Sequence, residues 1–197
     1  MEPRRTVTRI RKTSPGRVSV EVDGRHWRSV PAEAAVTAGL APGVELDRPR
    51  AVALRREIRR IAALETALRA LRPRDRSRAE IEGRLTARGA TSEERLATLT
   101  TLERTGLVDD RRFAISRAHA LAARGAGDAL VEADLERLGI QPALITEAIA
   151  ELEPEIDRAT SVVRRRGSGL RTAAYLSRRG FSRDSVEDVI AVSPEDE

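Results

Sequence analysis

The chain has 197 residues, of which 40% are hydrophobic and 34% are charged, and it contains no cysteine. This length and apolar content suffice for one domain or for a few small repeated modules, and they exclude a chain that is disordered throughout. The lack of cysteine excludes disulfides, thiolate metal sites and cysteine nucleophiles. The longest uncharged run covers only residues 34–44, and no apolar signal segment opens the chain, so we expect a soluble cytoplasmic protein without membrane spans.

The charges are unevenly distributed along the chain. Residues 1–74 carry 17 basic and 8 acidic groups, whereas residues 75–197 carry 19 basic and 23 acidic groups. The aromatic residues are too sparse for a platform that stacks nucleic-acid bases. A basic front half therefore precedes a mildly acidic back half, and the front half is suited to binding phosphate groups.

The front of the chain predicts a small β-meander followed by a short helix. Alternation of apolar and polar side chains, with a period of two, predicts strands over residues 7–12, 18–22 and 25–30. The dipeptide Asp23-Gly24 is suited to a tight hairpin turn between the second and third strands. Pro31 and Gly39 then bound a short helix.

A helical periodicity begins near Ala51 and ends before Pro73. Its apolar side chains recur every three or four residues, so they form one stripe along a helix. The members of this stripe are Leu54, Ile58, Ile61, Leu64, Leu68 and Leu71. Everything beyond this helix has the pattern of further helices, so we expect the β structure to be confined to the front.

Internal similarity surrounds three glycines, Gly89, Gly139 and Gly180. Each has an apolar residue four positions before it and another ten positions after it. A glycine at such a place is typical of the left-handed residue that ends a helix in a Schellman motif. Helix-start signals follow each glycine, among them a capping box formed by Thr91 and Glu94. The pattern therefore predicts a helix, a glycine cap and a second helix, three times over.

A further helix precedes each of these pairs, so the predicted unit has three helices. The expected domains are the meander with its short helix over residues 1–49 and the repeats over residues 50–106, 107–153 and 154–197, the last with an acidic tail. No unit of this size buries enough surface alone, so neighbouring units must share their cores. The predicted fold is mostly α, with three tandem three-helix repeats forming an elongated array after the N-terminal β-meander.

Three stretches of the sequence resemble a known family. They read RPRDRSRAEI at residues 72–81, GLVDDRRFA at residues 106–114 and YLSRRGFS at residues 175–182. In this order they resemble the RecX family of bacterial recombination regulators, and the likeness covers about residues 50–191. The resemblance implies a protein that binds the RecA recombinase in the groove of its filament on single-stranded DNA. It further implies inhibition of strand exchange, ATP hydrolysis and coprotease activity, and a role in DNA repair and the SOS response.

The second repeat departs from the family pattern in one segment. Many members carry a basic run there, whereas residues 125–130 of this chain read GAGDAL and two acidic residues follow soon after. The stretch before this segment fits the family and also has a structural interpretation. Asp109 or Asp110 is expected to cap a helix, and Phe113 is expected to enter the core.

Arginines in the matched stretches and at two helix ends are the candidate contacts with RecA or with DNA phosphate. They are Arg72, Arg74, Arg76, Arg78, Arg111, Arg112, Arg164, Arg165, Arg166, Arg178 and Arg179. The first four surround a helix start, where the helix dipole does not favour cations, so an anion or an acidic partner surface is expected to compensate them. For residues 164–166 and 178–179, capping of helix ends is an alternative explanation.

No motif for catalysis or for a cofactor is recognisable. The only lysine, Lys12, does not lie in a P-loop, so the chain does not bind ATP in that way. His26 and His119 have no second ligand at metal-binding spacing. We therefore expect no catalytic, cofactor-binding or metal-binding residue, and any effect on ATP hydrolysis would belong to the partner.

The sequence thus predicts a non-enzymatic, monomeric regulatory protein that binds RecA and its filament. Two other interpretations stay open: a nucleic-acid-binding module that reads phosphates independently of RecA, and a helical-repeat scaffold for another protein. Binding to bare DNA that weakens steeply with salt would favour the first of these. Capping of filament ends, coating of the groove and filament disassembly are all compatible with the sequence.

Overall fold

The computed structural model describes residues 5–191. Within this range the chain forms three β-strands followed by ten α-helices. The predicted fold class, mostly α with a small N-terminal sheet, is therefore confirmed. The predicted acidic tail at residues 195–197 lies outside the described residues.

The front of the chain is a three-stranded antiparallel meander. Its strands are β1 (Val7–Ser14), β2 (Arg17–Val22) and β3 (Arg25–Pro31), with β2 in the middle. The turn between β2 and β3 has a positive φ at Asp23 (51°) and at Gly24 (77°), as a type I′ hairpin requires. The predicted strands and the predicted turn are both confirmed.

One face of this sheet is buried under the helix α1 (Ala32–Thr37) and the first half of α2 (Arg48–Leu71). The core is aliphatic because every second residue of the middle strand is a valine that faces the helices. Its buried members are Val7, Val20, Val22, Val30, Ala34, Ala35, Ala38, Leu40 and Leu54. The meander therefore shares its core with α2.

Helix α2 begins earlier than the sequence analysis predicts. It starts at Arg48 rather than near Ala51, because the Asp47 side chain accepts a hydrogen bond from the Arg50 amide at 2.8 Å. Pro49 lies in the first turn, where a missing amide hydrogen costs no helical hydrogen bond. An N-cap aspartate followed by proline was the signal for this start.

The predicted leucine stripe of α2 is only partly correct. Leu54 is fully buried, but Leu68 is 37% exposed. In the second half of the helix the buried residues are Ala63, Ala67 and Ala70. In this half of the helix, small alanine side chains and not the leucines form the most buried face.

Eight further helices follow α2 along the chain. They are α3 (Arg78–Ala87), α4 (Ser92–Arg104), α5 (Asp110–Ala122), α6 (Asp128–Arg137), α7 (Pro142–Ala150), α8 (Glu155–Arg166), α9 (Leu170–Arg178) and α10 (Arg183–Ala191). They continue the predicted pattern of helix triplets. We refer to α5–α7 as the second repeat and to α8–α10 as the third repeat.

The three glycines of the internal similarity end helices, as predicted. Gly89, Gly139 and Gly180 have φ values of 77°, 74° and 82°. At each of them the next amide donates to the carbonyl of the buried leucine four residues before the glycine, at 3.0, 3.1 and 3.2 Å, as in a Schellman motif. The capping box is also confirmed, with bonds of 2.9 and 3.3 Å between Thr91 and Glu94.

The chain is organised in two compact units. One comprises residues 5–72 together with 84–101, and the other comprises residues 73–83 together with 102–191. The second unit holds the second and third repeats, each with its own buried cluster. Phe113 is buried in the cluster of the second repeat, as predicted, and Thr172 occupies a buried position in the third repeat.

Successive groups of helices in the second unit are joined by the same device twice. In each case a carboxylate at the start of a helix accepts a hydrogen bond from the first amide of a helix in the group before it. The first case joins α5 to α3, and the second joins α8 to α6. Asp110 accepts from the Arg78 amide at 2.7 Å, and Glu155 accepts from the Asp128 amide at 2.8 Å. Because the first amides of a helix have no partner within it, each carboxylate caps a helix of its neighbour.

Cap glycines make close backbone approaches at the same junctions. A Cβ atom on Gly139 would lie 2.5 Å from the Ala79 Cβ atom in α3, and one on Gly180 would lie 2.5 Å from the Leu130 amide nitrogen in α6. Gly127, at the start of α6, fits against the backbone of Gly180 as closely. These positions have no room for a side chain, so all three need glycine for its size, and Gly139 and Gly180 need it for their positive φ as well.

Candidate partner-binding surface

The longest part of the chain without an acidic residue covers residues 158–183. This part contains Arg158, Arg164, Arg165, Arg166, Arg171, Arg178, Arg179 and Arg183. In contrast, residues 107–157 contain five arginines and eleven acidic residues. The positive charge of the back half is therefore concentrated on α8, α9 and the start of α10.

Two of these arginines form ion pairs within the third repeat or with its neighbour. Arg158 is only 8% exposed; its guanidinium donates to the Ala126 carbonyl at 2.7 Å and pairs with Asp128. Arg183 pairs with Glu187 one helical turn away, at 2.6 Å. Arg158 thereby ties α8 to the start of α6.

Arg179, a predicted contact residue, binds the end of another helix. Its Nε atom donates to the Gly125 carbonyl at 3.0 Å, and Nη2 donates to the Arg124 carbonyl at 2.7 Å. These carbonyls follow α5 and would otherwise lack partners from their own helix. The side chain therefore helps to join the third repeat to the second.

The other five arginines of this stretch form no ion pair with a carboxylate in residues 5–191. They are Arg164, Arg165, Arg166, Arg171 and Arg178, and we call them the third-repeat arginines. All five are exposed. Their charges are therefore available to an external anion.

Three of the third-repeat arginines form the last turn of α8. Burial of Val162 and Val163 orients this turn, and the helix ends at Gly167 with a φ of 81°. Cations are favoured at this end because the carbonyl groups of the helix point towards them. Within this turn, the Nε atom of Arg165 donates to the Ser161 carbonyl one turn earlier, at 3.0 Å.

Tyr175 brings the end of α8 together with α9. The Arg166 guanidinium lies over the Tyr175 ring, 4.2 Å from its centroid, in a cation–π contact. On α9, Arg171 and Arg178 lie four residues before and three residues after Tyr175, so the three side chains share one face of the helix. The two arginines are two turns apart, roughly 10 Å along the axis. Leu176 is buried on the other side of α9.

The predicted contacts near residue 75 are largely compensated within the chain. Arg74 and Arg76 both bind Glu80, at 2.6 and 3.0 Å, and Arg78 pairs with two other glutamates at 3.1 and 2.9 Å. Burial acts to raise the pKa of Glu80, but hydrogen bonds from Arg74 and from a backbone amide outweigh it and hold the pKa below its usual value. Arg72 is exposed and has no carboxylate partner in the described part of the chain.

The predicted contacts of the second repeat have internal partners too. Arg111 donates from Nε to Glu147 at 2.8 Å, and Arg112 donates to the Gly106 carbonyl at 3.0 Å. The side chain of Asp109 accepts from the Arg112 amide at 2.9 Å, so Asp109 is the N-cap of α5. Asp109 therefore caps its own helix, as the sequence suggested, whereas Asp110 caps α3.

Sequence reasoning missed two members of this surface, Arg171 and Tyr175. Two signals were present in the sequence. One is the spacing of seven residues between Arg171 and Arg178, which places both on one helical face. The other is the absence of any acidic residue from 158 to 183. Guanidinium groups arranged in this way can form paired hydrogen bonds with carboxylates or phosphates.

Across residues 5–191 no group of three histidine, aspartate or glutamate side chains is placed to hold a metal ion. None of the described helices combines the length and the apolar character needed to cross a membrane.

The relatives of this chain among known proteins carry the same name. No family model matches the chain. The regulatory protein RecX of Mycobacterium sp. (strain JLS) is 36% identical over 144 residues, covering 64% of this chain and 78% of the relative. That of Stenotrophomonas maltophilia (strain K279a) is 32% identical over 152 residues, covering 72% and 93%. That of Halorhodospira halophila (strain DSM 244 / SL1) is 32% identical over 146 residues, covering 69% and 91%.

Two solved structures share the fold. A crystal structure of regulatory protein RecX matches with a TM-score of 0.79, covering 96% of this chain and all of the other at 22% identity. The crystal structure of RecX from Lactobacillus salivarius matches with a TM-score of 0.60, covering 68% of this chain and 95% of the other at 18% identity.

The fold and the charge pattern define a helical-repeat protein with a small N-terminal sheet and a basic surface on its last repeat. Sequence identities of 32–36%, over more than two thirds of each relative, identify the family within this class. The chain belongs to the RecX family of regulatory proteins, and the resemblance seen in the sequence is confirmed.

Proposed function

We propose that this protein binds RecA and its filament on single-stranded DNA and inhibits the recombinase, ATPase and coprotease activities without catalysis of its own. Membership of a family whose proteins are named regulatory supports this proposal. Under it, the protein takes part in DNA repair, recombination and the SOS response in the cytoplasm. It acts as a monomer, by binding in stoichiometric amounts.

The observation that carries the proposal is the set of third-repeat arginines. Exposed charges of one sign repel one another, and nothing in residues 5–191 neutralises these five with a carboxylate. A nucleoprotein filament offers both acidic side chains and phosphates, which are the groups that guanidinium binds best. We assign Arg166, Arg171 and Arg178, around the Tyr175 ring, as the centre of the contact.

The remaining predicted contact residues have a smaller part in this proposal. Those with internal partners would have to exchange an existing bond for a new one, so little binding energy is gained. They are Arg74, Arg76, Arg78, Arg111, Arg112 and Arg179. Arg72 keeps its place as a candidate contact, because it is exposed and no carboxylate in the described residues pairs with it.

The test compares two double variants of the full chain. The first, R171E together with R178E, reverses two charges of the proposed contact. The second, R111E together with R183E, reverses two exposed arginines that have internal partners. We expect the first to weaken co-sedimentation with preformed RecA filaments by at least about tenfold, the effect of 1.4 kcal/mol. The second should bind within about threefold of the original chain.

The same variants are used to measure DNA-stimulated ATP hydrolysis by RecA. The original chain and the control should lower it, the contact variant should not, and none of them should hydrolyse ATP alone. Undiminished RecA activity at saturating protein would refute the proposal. Equal losses for both variants would show that net charge, and not this surface, drives binding.

A second candidate function is a nucleic-acid-binding module that acts independently of RecA. The excess of basic residues in residues 1–74 favours it. It requires equal binding to filaments and to bare single-stranded DNA, weakening by about 0.7 log units per contacted phosphate for each log unit of salt. Binding to filaments well beyond binding to DNA would exclude it as the main function.

A further inference from the structure

A cleft in the first unit is lined by three arginines that the sequence analysis did not single out. It lies between the second half of α2 and the end of α3, and its volume is about 270 Å³. The lining residues are Thr66, Arg69, Ala70, Arg84, Ala87 and Arg88. All three arginines line this one space, and the two alanines add only methyl groups to its wall.

The charges of this cleft are not neutralised by the described part of the chain. No carboxylate lines the cleft, and none in residues 5–191 pairs with Arg69, Arg84 or Arg88. Arg69 uses Nε to donate to the Glu65 carbonyl at 3.1 Å, which leaves its two Nη groups for other acceptors. Arg84 and Arg88 are one turn apart, a spacing at which like charges repel. An anion between the helices would relieve this repulsion.

The cleft differs from the first half of the same helix. There, Arg56 pairs with Glu93 at 2.6 Å and Arg59 pairs with Glu94 at 2.8 Å. Acidic residues of α4 therefore neutralise that part of α2. The unpaired arginines at the other end are a local feature and not a general consequence of the arginine content of the chain.

The size and chemistry of the cleft select its ligand. Small-molecule pockets typically measure about 300–1,000 Å³ and are largely apolar, so this smaller, arginine-lined space suits a single oxyanion. No aromatic residue lines it, so it has no surface on which a base could stack. Arg72, one turn beyond Arg69 and also exposed, extends the positive charge along α2. This continuation favours a polymer of phosphates over an isolated anion.

We propose that this cleft binds a phosphodiester group of a nucleic-acid backbone. The guanidinium groups of Arg69, Arg84 and Arg88 donate to the phosphate oxygens, without reading the base sequence. The inference deepens the second candidate function, on which it rests, by assigning nucleic-acid binding to a particular cleft, and it involves the other compact unit from the third-repeat arginines. An acidic protein surface is the competing occupant, and the experiment separates the two.

The test measures binding of the full chain to a fluorescent oligothymidine by anisotropy, in the absence of RecA and over a range of salt concentrations. The cleft variant is R84Q together with R88Q. Its control, R55Q together with R56Q, removes the same charge from the first half of α2. We expect the cleft variant to weaken binding by at least about tenfold and to reduce the salt slope by about 0.7, the value for one lost phosphate contact.

The control should stay within about threefold of the original chain, and thermal melts should show that both variants are folded. Equal weakening in both variants, or no oligothymidine binding by the original chain, would overturn the inference. Loss of filament binding by the cleft variant with unchanged oligothymidine binding would also overturn it, in favour of an acidic protein surface. Each of these results can occur whether or not the R171E/R178E test of the proposed function succeeds.

Discussion

The second and third repeats have similar helices but use their arginines differently. In the second repeat Arg111 pairs with Glu147, while Arg117 and Arg137 share Asp134 at 2.7 and 2.6 Å. The hydrogen bond from Arg117, with that from Arg137, holds the pKa of Asp134 below its usual value although burial opposes this. The third-repeat arginines have no such carboxylates.

This difference shows why arginine content does not by itself locate a binding surface. Both repeats are rich in arginine, but only one leaves a set of exposed guanidinium groups without carboxylate partners in the described structure. Surface ion pairs add little stability, typically 0–1 kcal/mol each. Their main effect in the second repeat is to neutralise its charge. Under the proposed function, the positive charge of the third repeat is available to bind a partner.

The largest expected effect tests how the two repeats are joined. G180A should cost about 3 kcal/mol of unfolding free energy, because alanine at a φ of 82° is strained and its Cβ atom meets the Leu130 backbone. G89A is the matched control, since its φ of 77° is similar but no atom lies within 4 Å of the added Cβ; we expect about 1 kcal/mol. Urea unfolding measures both free energies, and equal losses of stability would contradict the close contact between Gly180 and the Leu130 backbone.

The next effect separates internal from exposed arginines of α8. R158M should cost about 2 kcal/mol, because it leaves the Ala126 carbonyl and the Asp128 carboxylate at the junction without their guanidinium partner. R164M, six residues along the same helix, should change stability by no more than about 0.5 kcal/mol. Thermal or chemical denaturation provides the comparison. A large loss for R164M would mean that the third-repeat arginines also support the fold.

The smallest expected effect is a difference in pH dependence between the two junction carboxylates. Burial acts to raise the pKa of Glu155, but hydrogen bonds from Ser182, Asp128 and Ser185 outweigh it and lower the pKa below 4.5. Its contribution to stability is therefore present above pH 4.5 and is lost as the pH falls through the lowered pKa. E155Q should be less stable than the original chain at pH 7, with the difference disappearing as the pH falls through the lowered pKa.

Asp110 should behave in the opposite way. Burial raises its pKa above 3.8 despite the hydrogen bond from the Arg78 amide, so folding disfavours its ionised form. The resulting cost is present at neutral pH and disappears as the pH falls through the raised pKa. D110N, which still offers an oxygen to Arg78, should be at least as stable as the original chain at pH 7. Urea unfolding from pH 3 to 7 tests both, and a constant gap for E155Q would contradict the assignment.

Features that depend on neighbours in sequence were predicted well. The strands, the Asp23-Gly24 turn, the glycine caps and the capping box of Thr91 and Glu94 all follow from local backbone geometry and short hydrogen bonds. The start of α2 was missed although Asp47 signals it. The leucine stripe was only partly correct in its second half, where Leu68 is exposed and the buried residues are alanines.

The candidate surface could be predicted only in part. Its arginines were visible in the sequence, but their partners were not, because those partners lie far along the chain. Arg111 and Glu147 are 36 residues apart, and Arg179 and the carbonyl of Arg124 are 55 residues apart. No local pattern connects such pairs. The stretch without acidic residues from 158 to 183 was the best available signal.

The sequence by itself determined where helices and strands begin and end, the mostly helical class and the concentration of positive charge on α8 and α9. These are properties of backbone conformation and composition, which act over a few residues. Only the tertiary structure decided which arginines are neutralised, which carboxylates cap a neighbouring helix and which glycines have no room for a side chain. Those properties depend on distances between residues that folding brings together from far along the chain.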